Sequence, residues 1–93
     1  MFQVQLLCGV YEYLKERLIN VSLYSECGTE YVEVIKNKHV AQIDMHATGM
    51  IDCHVHDAHP KRPYPPIDNR LFDIADPSSL QAIYEYVSSK RWK

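Results

Sequence analysis

No stretch of this sequence approaches the ~20 consecutive apolar residues that cross a bilayer, so no membrane-spanning helix is expected. Its amino end, Met1 to Val10, has neither a basic leader nor a small-residue cleavage site, which argues against a signal peptide. Paired cysteines are lacking as well. Cys8, Cys27 and Cys53 are odd in number and have no paired spacing, which argues against a disulfide framework and for a reducing, cytoplasmic compartment. There is also no basic stripe. Apart from Lys61-Arg62 and the tail residues Lys90, Arg91 and Lys93, the cations are scattered, and the net charge is −2 with the histidines neutral. Nucleic-acid affinity rests largely on phosphate contacts from lysine and arginine, so direct nucleic-acid binding is not expected. No cofactor motif and no complete catalytic set is present.

What the sequence does contain is the composition of a globular protein, 46% hydrophobic and 24% charged, at the length of one small domain covering residues 1–93. The first segment has helical spacing: Leu7, Val10, Tyr11, Leu14 and Leu18 share a stripe opposite Glu12, Lys15, Glu16 and Arg17. A helix over about 4–19 is expected, ended by Ile19-Asn20-Val21.

From residue 20 to 57 the period changes to two. Apolar residues alternate at Val21 and Leu23, at Val32 and Val34, at Ala41, Ile43 and Met45, and at Ile51, Cys53 and Val55. Turn signals at Cys27-Gly28, Asn37-Lys38 and Ala47-Thr48-Gly49 separate these runs. Residues directly opposite in an antiparallel pair share a face, so each loop length makes a testable register. A two-residue loop at Cys27-Gly28 pairs Leu23 with Val32, and one at Asn37-Lys38 pairs Val32 with Ile43. A three-residue loop at Ala47-Thr48-Gly49 pairs Ile43 with Cys53, with Gly49 at the left-handed position of such hairpins. All three turns agree on one apolar face, predicting a four-stranded antiparallel meander.

A proline-rich loop over 58–70 follows, with a short fifth strand considered at Leu71 to Ile74. Its Pro60-Lys61-Arg62-Pro63-Tyr64-Pro65-Pro66 string reads as a stiff connector before it reads as a polyproline ligand. Asp76-Pro77-Ser78-Ser79 then offers an N-cap with proline at the first helical position. A second helix over about 77–90 carries the stripe Leu80, Ile83, Tyr84 and Val87. The expected class is α+β, with both terminal helices packed on one face of the sheet.

The same register assigns the opposite face. Tyr24, Tyr31, Asp44 and Asp52 form one row; Ser22, Glu33, Gln42 and His54 form the next; Asn20, Ile35, Val40 and His56 form a third. Asp44 opposite Asp52 is unfavourable, since like charges across strands repel. A protonated histidine, a shared proton, a bound cation or a basic partner would relieve it, and water alone screens it in part. His54 and His56 point the same way and can chelate zinc or nickel, with Asp44, Asp52, His46 or His59 completing a shell.

The string Gly49-Met50-Ile51-Asp52-Cys53-His54-Val55-His56 resembles the His-x-His metal-binding strand of the amidohydrolase superfamily. That resemblance would imply two histidine ligands to a catalytic divalent metal in a (β/α)₈ barrel. A barrel needs at least ~200 residues, so the resemblance stops at eight residues and carries no catalysis. His56-Asp57-Ala58-His59-Pro60 before Asp68-Asn69 also resembles the His-Asn-His nuclease motif. Ser78 to Lys93 lacks the closing histidine that motif requires. Cys53 is expected in the core, where a thiol acts as a small hydrophobe.

Three function classes follow. The first is a non-enzymatic protein-binding domain using Tyr24, Tyr31, Glu33, Gln42, Asp44, Asp52, His54 and His56 against a basic protein surface. By size and class it looks like small inhibitors and immunity proteins of phages and mobile elements, anti-CRISPR proteins included. The second is a divalent-metal-binding protein or metal-dependent hydrolase using His54, His56, Asp52 and Asp44. The third is a structural subunit whose open face is buried in a homodimer or larger homo-oligomer.

Overall fold

The computed structural model describes residues 2–26, 28–36, 38–57 and 66–92, and the side chains of all of these except residues 2–6 and 26. The turn residues Cys27 and Asn37, the prolines 60, 63 and 65, and His59 lie outside the described residues.

The chain runs α1 (Phe2–Lys15), β1 (Val21–Glu26), β2 (Thr29–Ile35), β3 (His39–Met45), β4 (Ile51–Asp57), β5 (Asp68–Phe72) and α2 (Ser79–Val87). This is an α+β fold. Its five strands form one sheet in the order β1-β2-β3-β4-β5, every neighbouring pair antiparallel.

Alternation sets the register. Leu23, Val32, Ile43, Cys53 and Arg70 lie in one row across all five strands, and Val21, Val34, Ala41, Val55 and Asp68 in the next. A slip of one residue would turn the apolar members of these rows, those on β1 to β4, outward, which is why each hairpin has one register. At the β3–β4 hairpin His46 N–H donates to Met50 O (2.7 Å) and Gly49 N–H to His46 O (2.8 Å). Gly49 has φ +90°, a conformation that costs a side chain and suits glycine.

The helices cover one face. Leu7, Val10 and Leu14 of α1 and Ile83, Tyr86 and Val87 of α2 join Val32, Ile43, Ile51, Cys53 and Val55 in one buried cluster. Burying apolar side chains contributes about 1.5–3 kcal/mol each, and this layer is the main source of stability. Tyr13 OH, donating to Gln81 Oε1 at 2.5 Å, ties the helices to each other.

Five boundaries differ from the sequence reading, the first being that α1 begins at Phe2 rather than near 4. α1 ends at Lys15 rather than near 19, because its last turn tightens: Arg17 N–H donates to Leu14 O at 3.0 Å. β5 begins at Asp68, inside the expected loop over 58–70, and pairs with β4 at the sheet edge. Ile67 N–H donating to Val55 O (2.7 Å) starts that pairing directly after Pro66. α2 begins at Ser79 with Ser78 as N-cap, so Pro77 precedes the helix. Asp76 Oδ1 accepts from both Ser78 N–H (2.9 Å) and Ser78 Oγ (2.8 Å), and these bonds hold the Asp76 carboxyl below its ordinary range. At the other end α2 stops at Val87, but the chain beyond it is not loose. Trp92 is only 4% exposed, donates Nε1–H to Tyr86 O at 2.7 Å, and meets the Tyr86 ring edge-on at 5.8 Å.

Among the described residues, no helix is long and apolar enough to cross a membrane.

Candidate functional site

The face of the sheet away from both helices is built by the residues between the core positions. Its rows are Tyr24 with Tyr31; Ser22, Glu33, Gln42, His54 and Asn69; Asp44, Asp52 and Leu71; and Ile35, Val40 and His56. Tyr31 directly precedes Val32 and Asp44 directly follows its partner Ile43, so the tyrosines abut the carboxylate row.

Two groups order this face. Around Tyr24 and Tyr31 the rings stack with centroids 5.3 Å apart and an interplanar angle of 21°. Gln42 Nε2 donates to Tyr24 OH at 3.0 Å. That bond reaches from β3 to β1 across β2 and anchors the Tyr24 hydroxyl.

The second group is Asp44, Asp52 and His54. Asp44 and Asp52 are direct cross-strand partners. Their carboxylates and the His54 imidazole each offer one ligand atom, all within 4.8 Å of one another. His54 Nε2 lies 3.2 Å from Asp52 Oδ2 and 3.9 Å from Asp44 Oδ1. Asn69 on β5 supports the group, donating through Nδ2 to Asp52 Oδ1 (2.5 Å) and to Cys53 O (3.1 Å). The same nitrogen sits 3.1 Å from His54 Nδ1.

Asp44 is the exception. Its Oδ1 is buried and is the one buried side-chain oxygen or nitrogen without a hydrogen-bond partner among the described residues. Burial raises the Asp44 carboxyl above its ordinary value; the facing His54 opposes this and Asp52 adds to it. An ionised carboxylate held there costs stability, since a buried polar group without a partner keeps its desolvation penalty.

Of the residues named from sequence, Asp44, Asp52 and His54 come together. His56 shares their face, with its ring centroid 6.0 Å from that of His54, but it does not belong to the three-residue group. His46 is used by its own turn: its Nδ1 accepts from Thr48 N–H (3.2 Å) and lies 2.9 Å from Thr48 Oγ1. Cys53 faces the helices, fully buried, and burial pushes its thiol far above the usual range. A thiol held protonated in that way is no nucleophile. Asn69 enters the sequence reading only through the His-Asn-His resemblance and not as part of this face, because its strand had no register there; its place opposite His54 is the signal that finds it.

No family model, curated protein or solved structure matches this chain.

Proposed function

We propose that this chain is a non-enzymatic protein-binding domain whose open sheet face engages a basic surface on a partner protein. One observation carries the reading. The open-face positions of the strands hold Glu33, Asp44 and Asp52, and no lysine or arginine among the described residues. Fixed charge of one sign on a flat face selects a partner of the opposite sign and speeds encounter with it. The stacked Tyr24 and Tyr31 beside those carboxylates supply aromatic area of the kind enriched at interfaces. Tyrosine faces also attract lysine and arginine heads.

The same charge pattern disfavours a homodimer through this face, since two copies would bring carboxylates against carboxylates. Within the binding class, the chain is by size and class alone like small inhibitors and immunity-type proteins of phages and mobile elements, anti-CRISPR proteins among them. Cys8 and Cys53 are free thiols, which suits a reducing, cytoplasmic setting.

The test is affinity capture from host extract with three baits: wild type, Glu33→Lys, and Tyr31→Ala. The reading expects a protein retained by wild type, released by added salt, and lost from both variants while their far-ultraviolet spectra stay unchanged. A partner held equally by all three baits would place the interface elsewhere and overturn it.

A further inference from the structure

We propose that Asp44, Asp52 and His54 form a binding site for a divalent transition-metal ion, with zinc the best-suited occupant. The site goes beyond the protein-binding reading and needs no partner.

Three features converge. The first is spacing. Ligands around a zinc ion with bonds of 2.0–2.1 Å stand about 3.4 Å apart in a tetrahedron. His54 Nε2 stands 3.2 Å from Asp52 Oδ2 and 3.9 Å from Asp44 Oδ1, so small side-chain adjustments bring all three onto one ion.

The second is the Asp44 oxygen. It is buried and has no hydrogen-bond partner. A proton on His54 Nε2 serves Asp52 at 3.2 Å but leaves Asp44 Oδ1 at 3.9 Å, beyond hydrogen-bonding range. A cation among the three satisfies Asp44 and removes the repulsion between the paired carboxylates at once.

The third is the support behind the ligands. Asn69 holds Asp52 Oδ1, which leaves Oδ2 turned toward His54. All three ligands stand on paired strands rather than on loops, so their positions are fixed before the ion arrives. Outer partners of this kind typically change metal affinity by about 10–100-fold. Imidazole with two carboxylates suits zinc or nickel better than magnesium or calcium, which take oxygen ligands. Three protein ligands leave a coordination position for water or for a group from outside.

The experiment is isothermal titration of zinc chloride into the chelator-stripped full chain, repeated with magnesium chloride. Variants Asp44→Asn, Asp52→Asn, His54→Ala and His46→Ala are titrated in parallel. The expected result is one saturable zinc site per chain, no comparable magnesium site, and about a tenfold or larger loss of affinity in each of the first three variants. His46→Ala keeps the site. Melting curves in chelator identify any variant that fails to fold, and Asp44→Asn, which removes a charge without changing shape, keeps the test decisive. Absence of saturable zinc binding, or binding that survives Asp44→Asn and His54→Ala, overturns the proposal. Because only metal and chain are present, its failure leaves the protein-binding reading standing.

Discussion

The two faces of one sheet differ in how completely their residues are satisfied. On the covered face, Val32, Ile43, Ile51, Cys53 and Val55 are buried beneath both helices, and the polar groups that reach it are paired. Tyr86 OH donates to Asp68 Oδ2 at 2.5 Å, and Trp92 Nε1–H donates to Tyr86 O. On the open face, by contrast, Asp44 is set against Asp52 and keeps a buried oxygen without a partner. One face is arranged for the fold. The other keeps an arrangement that the fold alone does not favour, as expected where something outside the chain is to be bound.

The largest effects belong to the covered face. Trp92→Ala removes a buried indole and its hydrogen bond to Tyr86 O and should cost about 3–5 kcal/mol in urea unfolding. A loss below 1 kcal/mol would mean that the carboxyl-terminal tail is not part of the core.

Next come two residues adjacent in β3 whose side chains take opposite faces. Ile43→Ala, at a fully buried position, should cost about 2–5 kcal/mol. Gln42→Ala loses only the bond to Tyr24 OH and should cost about 0.5–1.5 kcal/mol. Equal losses at the two positions would break the distinction between the faces. Asn69→Ala should fall between them, because the Asp52 carboxylate loses the hydrogen bond that Asn69 donates to it, and a bond to a charged group is worth about 1.5–3 kcal/mol.

The smallest effect has the opposite sign. Asp44→Asn removes one of two like charges across the strands and should stabilise the fold by about 0.2–1 kcal/mol.

Much of this was legible in the sequence, for a physical reason. Three turns, two of two residues and one of three, each place apolar residues opposite apolar residues, and the pairs Leu23–Val32, Val32–Ile43 and Ile43–Cys53 all form. A slip at any turn would break the alternation, so the register carried its own check, and the Asp44–Asp52 opposition followed from it. β5 was less legible. The residues it turns to the covered side are Asp68, Arg70 and Phe72, and two charged residues in three give no apolar period. Arg70 is tolerated there because the edge lets its guanidinium lie over the Phe72 ring at 5.1 Å. With β5 unplaced, the place of Asn69 on the open face stayed hidden, and with it the support of the Asp52–His54 pair. Trp92 was hidden for a different reason: a single apolar residue in a basic tail has no period, and only the turn that places Trp92 N–H on Ser89 O (3.1 Å) brings it back to Tyr86.

Urea unfolding of wild type and Asp44→Asn, at neutral pH with chelator present, tests most directly whether the open face holds a charge arrangement kept for a ligand rather than for the fold. The account predicts a higher midpoint for Asp44→Asn with an unchanged slope. A lower midpoint would show that the Asp44 carboxylate stabilises the fold, and would contradict the account.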